Sequence, residues 1–336
     1  MKVLDLVRKN LAVLIPAALI LGLVKGHWWP MEYSRIICVS ALLVMIFPVF
    51  INLEFDKGLK EFAHAKGVIA TTFLTNFILY PAIAYGIGWL FLREHPAMWL
   101  GLVLLSLVPT SGMTINWTYF TKGDMPSVMA IVSSGIIVAV LYLPFAIPAL
   151  TNHLMGNGAV EVDKEVILEK LFFIIVLPVA FGYVARKLII KRKGYEFFKK
   201  MKPVNGGVSA CGVVIVSFLV MSLRINQSIL NEPETLALAA IPVALFYAAI
   251  FVASHFLGTA LHPLPMAKAF FFGTAARYHV ITLGVVLGTY QKYDFLGLIT
   301  IMIAVGLAIQ IPALAFYAKY LQKRDEKKTE GEAETA

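Results

Sequence analysis

Ten apolar blocks, divided by short polar connections, limit this chain to a small set of architectures. They run approximately over Leu11–Val24, Ile36–Leu53, Val68–Leu92, Met98–Phe120 and Val128–Leu150. The second five are Val166–Ile189, Gly207–Leu223, Leu236–Leu261, Ala267–Tyr290 and Phe295–Tyr317. A helix needs about 20 apolar residues to cross a bilayer, so most blocks suffice with some tilt and the first is short. Charged residues make up 15% of the 336 residues, against about 25% in soluble domains. No polar stretch is long enough to build a soluble domain. The expected fold is an all-α membrane protein of ten spans.

The basic residues set the expected orientation. With ten spans both termini share one side, and 21 of the 29 Lys and Arg fall on it, in the N-terminal segment, the Arg186–Lys202 linker and the tail among others. The bias predicts cytoplasmic termini in a plasma-membrane protein. The +9 net charge thus reflects topology and anionic lipid rather than nucleic acid. Met1–Asn10 is basic and short, but no small-residue cleavage site follows it, and Lys25–Trp29 reads as an interfacial anchor. Cys38 and Cys211 both lie in apolar blocks without metal-ligand spacing.

The charged linker Lys187–Pro203 divides the blocks five and five. An odd number per half makes the halves run in opposite directions, an inverted repeat. Residues 1–155 are expected to form the first five-helix repeat and 156–320 the second. Residues 321–336 are expected to be a disordered cytoplasmic tail. Weak self-similarity agrees: Asn52–Asp56 against Ser222–Asn226, and Pro16-Ala17-Ala18 against Pro178-Val179-Ala180.

Inside the fourth block the chain reads Pro109-Thr110-Ser111-Gly112-Met113-Thr114-Ile115-Asn116. Proline cannot donate the helical hydrogen bond and glycine weakens the helix. The freed carbonyls and small polar side chains are tolerated at membrane depth only against protein or a water-filled cavity. Such breaks mark substrate or ion sites in secondary transporters. The repeat requires a second break in the ninth block. There Gly273-Thr274-Ala275-Ala276-Arg277-Tyr278-His279 supplies small and polar residues mid-span. Arg277 at that depth is costly and should face the interior of the bundle.

Pro109–Asp124, and above all Thr118-Tyr119-Phe120 and Lys122-Gly123-Asp124, resembles the fourth-span motif of the bile acid:sodium symporter family and the related arsenite-efflux permeases. Both belong to the bile acid/arsenite/riboflavin transporter superfamily, of which this chain looks like a divergent member. The resemblance implies a panel of spans one, two, six and seven. Spans three to five and eight to ten would form a core in which the broken helices of spans four and nine cross. Three departures stand out. Thr114 and Ile115 occupy the positions of the bile acid branch's sodium-binding Ser-Asn, and Thr110 that of the arsenite branch's Cys. No acidic residue lies between Pro263 and Gln291, where both branches are expected to carry one.

The candidate substrate site is Thr110, Ser111, Thr114, Asn116, Thr274, Arg277, Tyr278 and His279, with Ser111, Thr114 and His279 as candidates for ion coupling. Half-helix N-termini and the Arg277 fork suit an anion. Arg277 could equally partner a carbonyl or a carboxylate such as Glu54 or Asp56. His279 could relay a proton or be a satisfied core histidine, and Tyr278 could simply pack. Ser111 and Thr114 could instead bond their own helix carbonyls. Asn76 and Gln310 read as helix–helix hydrogen-bonding residues, Asn52 and Asp56 as interfacial, and Ser133-Ser134-Gly135 as a close-packing surface. The expected function is a secondary transporter of a small organic anion working by alternating access. Efflux of arsenite or another metalloid oxyanion is the alternative. No cofactor is implied, and sodium and proton both stay open as coupling ions. An enzyme is not expected, because His153, His255, His262 and His279 show no nucleophile–base or metal spacing, and an inverted repeat suits a carrier better than a channel.

Overall fold

The computed structural model describes residues 2–29, 35–110, 113–156, 160, 164–222 and 233–334. Among them the regular structure is helical. Seven helices are long and apolar enough to cross a membrane: Leu11–Trp28, Lys66–Phe91, Met125–Met155, Lys164–Lys193, Tyr195–Met221, Glu234–Leu261 and Leu296–Glu326. Three more apolar helices are shorter, at Ser40–Asn52, Pro96–Leu107 and His279–Thr289. The chain is therefore a multi-pass membrane protein. Its helices bury one face and leave another apolar face outward. On Leu11–Trp28, Ile15 and Leu19 are buried while Val13, Ile20 and Leu21 are exposed, as expected of helices bathed in lipid.

The fourth and ninth blocks are each two helices. Pro96–Leu107 is followed by Met113–Phe120, and Leu264–Ala275 by His279–Thr289. The residue that ends each first half is extended: Val108 has ψ 105° and Ala276 has ψ 116°. They pass each other antiparallel, with a bridge between Pro109 and Arg277 and a hydrogen bond from Tyr278 N to Val108 O at 3.2 Å. Pro109 explains the first stop, since proline pushes the preceding residue out of the α region. Asp124 closes the first broken segment. Its carboxylate accepts from Ser127 N at 2.8 Å and so caps Met125–Met155, and its own N–H donates to Pro265 O at 2.8 Å.

Lys66–Phe91 and Lys164–Lys193 each contain one π turn, at Thr75–Leu79 and Phe172–Val176. Each turn precedes a proline, Pro81 or Pro178, whose ring would clash with the carbonyl four residues back. Widening the turn relieves that clash, and π turns recur at functional positions. The first of these turns carries Asn76.

Leu11–Trp28, Arg35–Asn52, Lys164–Lys193 and Tyr195–Met221 pack on one another. Their approach depends on small residues: a methyl built on Gly22 would stand 2.5 Å from Phe218 O, and one on Gly212 would stand 2.6 Å from Met45 Cβ. Small residues at such crossings let helix backbones come close where lipid offers no hydrophobic drive.

Two expectations change. The last helix runs to Glu334, so residues 321–334 continue a helix where a disordered tail is expected. The segment is rich in Lys, Glu, Gln and Arg, which favour helix, and it is tethered. Gln322 donates to Phe120 O at 2.9 Å, and Asp325 pairs with Lys268 at 2.5 Å. Second, Glu54 and Asp56 are not partners of Arg277. Glu54 is held by Lys57 and Lys202, and Asp56 by Arg186 at 2.6 Å. Asn205 also donates to Asn52 Oδ1 at 2.9 Å. These contacts join the end of Arg35–Asn52 to the linker region. Of the proposed repeat match, Leu223–Asn226 lies outside the described residues.

Burial pushes the Glu54 carboxyl up, but hydrogen bonds and charge from Lys202 and Lys57 outweigh it and hold it below its ordinary 4.5. A lowered folded value stabilises the protein fully above about 4.5, and that stabilisation is lost as pH falls through the folded value. Glu54→Gln is thus expected to lower the apparent Tm at pH 7 and to flatten its decline between pH 5 and 3, read by thermal unfolding across pH. An unchanged pH profile would remove Glu54 as a stabilising charge.

Candidate functional site

In lipid, the last four carbonyls of a helix must find partners inside the protein. At the end of Leu264–Ala275 they find side chains from other segments. Phe272 O accepts from Thr114 Oγ1 at 3.3 Å, Gly273 O from Asn76 Nδ2 at 3.1 Å, and Thr274 O from the Arg277 guanidinium. At the end of Pro96–Leu107, Ser106 O accepts from Arg277 Nη1 at 2.9 Å. One guanidinium therefore serves the C-terminal ends of both half-helices. Its other Nη also donates to Asn76 Oδ1, and its plane lies 5.1 Å from the centre of the Tyr80 ring. Arg277 is fully buried, and among the described residues no carboxylate lies within ion-pair distance of it.

The peptide of Arg277 is clamped as firmly as its side chain. Gln310 Oε1 accepts from Arg277 N at 2.5 Å, and Gln310 Nε2 donates to Arg277 O at 3.1 Å. This double bond fixes which end of the carboxamide is oxygen. Tyr247 OH therefore donates to Gln310 Oε1 at 3.2 Å. The same hydroxyl lies 2.6 Å from His279 Nε2, so Tyr247 links the Gln310 carboxamide to the imidazole.

The N-terminal ends differ. His279–Thr289 has no side-chain cap, and its first residues border a cavity of about 50 Å³. That cavity is lined by Met113, Arg277, Tyr278, His279 and Gln310, with Met45 and Val49 opposite. It has room for about one water molecule. A larger cavity, about 470 Å³, lies elsewhere, between Phe50, Ile136, Ile175 and Tyr183. It is almost wholly apolar, and none of the candidate residues lines it.

The expected site residues fall into three groups. Arg277, Tyr278 and His279 line the cavity, and the Tyr278 hydroxyl has no partner among the described residues. Thr114 and Thr274 are buried beside the crossing but bonded elsewhere. Thr274 Oγ1 donates to Ser254 Oγ at 2.8 Å and contacts Phe270 O at 2.9 Å. Thr110 is fully buried with its hydroxyl unpartnered among the described residues, and its φ of 42° is left-handed. A β-branched residue there is strained by about 1–2 kcal/mol. Asn116 is exposed on the outer face of Met113–Phe120. Ser111 lies outside the described residues. Asn76, Gln310 and Tyr247 complete the site without having been placed there from sequence, although the first two are rare amides inside apolar blocks.

The protein-family comparison matches residues 39–231 to the sodium bile acid symporter family. An arsenical-resistance protein Acr3 of Alkaliphilus metalliredigens is 26% identical over 259 residues, covering 70% of this chain and 71% of that protein. An Acr3 of Corynebacterium glutamicum is 23% identical over 281 residues, covering 81% and 74%. An uncharacterised transporter of Synechocystis is 20% identical over 288 residues, covering 77% and 74%.

Asn76→Ala removes a donor to Gly273 O and an acceptor of a buried charge. Leaving such groups unpaired costs about 1–3 kcal/mol each, so the apparent Tm should fall by roughly 5–10 °C. Asn116→Ala, on the outer face, should stay within about 1–2 °C. Equal shifts for the two variants would refute this assignment of the crossing.

Proposed function

This chain belongs to the sodium bile acid symporter family, and we propose that it is a secondary transporter moving a small organic anion by alternating access past the crossing of its two broken helices. The observation that carries the reading is the arrangement of four helix ends. Each helix end carries about half an elementary charge, negative at the C-terminus and positive at the N-terminus. Arg277 is bonded to both C-terminal ends. The positive end at His279 has no side-chain cap, and with the start of Met113–Phe120 it suits an anion. The roughly 50 Å³ cavity is far below the several hundred Å³ an organic ligand fills. Transport would therefore require the helices around Arg277 to separate from Met45 and Val49 and admit solute first from one side and then from the other.

In this reading the chain has ten spans in two inverted five-helix repeats, 1–155 and 156–320, with cytoplasmic termini in the plasma membrane. Leu11–Trp28, Arg35–Asn52, Lys164–Lys193 and Tyr195–Met221 are the panel against which the core rocks. Thr110, Ser111, Thr114, Arg277, Tyr278 and His279 contact or position the solute. Thr274 supports the crossing, and the exposed Asn116 serves at the mouth.

The two Acr3 relatives favour a second reading, efflux of arsenite or a related oxyanion. A compact solute also fits the small cavity better. Against it, neither Cys211, which is partly exposed, nor any other thiol lines the crossing among the described residues.

Proteoliposomes with opposed pH and sodium gradients, screened against carboxylates and oxyanions, test both readings. The first predicts concentrative uptake of a carboxylate that falls at least about tenfold in Tyr278→Ala. Arsenite movement alone, with arsenite resistance conferred on a sensitive host, would replace it by the second. Movement of neither class under any gradient would contradict both.

A further inference from the structure

We infer that Arg277 is a built-in cation, filling with its guanidinium the place that a free monovalent cation would otherwise take at the joined C-terminal ends of the half-helices. The groups around it are those that ligate alkali cations: Ser106 O, Thr274 O and Asn76 Oδ1, all neutral oxygens. Two helix C-termini together present about one negative charge. In a medium without water that charge needs a cation close by. The side chain supplies it covalently, from the residue that also bridges to Pro109. No carboxylate competes for it: among the described residues Glu54, Asp56 and Asp325 are engaged by Lys202, Arg186 and Lys268. No group of His, Cys, Asp or Glu able to hold a metal exists among the described residues either.

The consequence is that the crossing binds no metal cation while Arg277 is present, and that removing the side chain creates a vacant cation site lined by carbonyls. Asn76 is the positioning residue, because its amide grips Gly273 O while its oxygen accepts from the guanidinium. The corollary, that solute movement needs no sodium at the crossing, rests on the transporter reading. The binding claim does not.

Thermal unfolding of the purified full chain separates the two. In sodium chloride against choline chloride at equal ionic strength, the wild-type Tm should differ by less than about 1 °C. Arg277→Ala should lose roughly 5–10 °C and recover at least half of that in millimolar guanidinium chloride, while tetramethylammonium, too large for the gap, gives no recovery. Arg277→Lys should stay indifferent to sodium, since its ammonium keeps the charge in place. A wild-type Tm raised several degrees by sodium would overturn the inference, whether or not Arg277→Ala can be purified. A folded Arg277→Ala that ignores guanidinium would overturn it too. Proteoliposome uptake that proves absent would count against the transporter reading and leave these shifts as they are.

Discussion

A helix broken inside a bilayer exposes backbone amides and carbonyls where no water can meet them, and the architecture of this protein is organised around that constraint. Pro109 stops one helix, and the Gly273–Ala276 stretch of small residues lets another stop beside it. The two extended segments pair with each other, which satisfies some of the freed groups. The carbonyls that remain are met by Thr114, Asn76 and Arg277, drawn from three different segments. Each of these contacts joins residues far apart in the chain. With the Gln310 clamp on the Arg277 peptide they fix the relative position of Lys66–Phe91, both broken segments and Leu296–Glu334.

The same accounting links fold to function. The carbonyl ends are gathered around one guanidinium, and Met113 and His279, which begin the second half-helices, line the small cavity. The peptide clamp of Gln310 holds Arg277 in register, and Tyr247 links the same carboxamide to His279. Leu296–Glu334 itself borders the cavity through Gln310. A larger apolar crevice, by contrast, sits between helices away from these groups.

Much of this was legible in the sequence, for reasons that can be named. Long apolar blocks located the helices, proline with small residues in mid-block located the first break, and small and polar residues at the matching place in the ninth block located the second. Arg277 drew attention because an arginine at that depth needs a reason. Its partners were not legible. Asn76 is 201 residues away and Gln310 is 33 away, and nothing local to either residue says which helix it will face. Glu54 and Asp56 looked free to pair with Arg277 until Lys202 and Arg186 claimed them. Asn116 shares the motif of Thr114, yet two residues along a helix turn it to the opposite face. The helical tail was missed because its tethers, Gln322 to Phe120 O and Asp325 to Lys268, are tertiary.

The central claim is that solute passes the crossing and meets it from each side in turn. Labelling tests it most directly. Val280, beside His279 on the wall of the cavity, is replaced by cysteine in a chain whose Cys38 and Cys211 have become serine. Membrane-impermeant thiol reagents are then applied separately to each face of sealed vesicles. The account predicts labelling from both faces, with conditions that favour one face reducing access from the other. Labelling from one face only, or complete protection under every gradient, would contradict it.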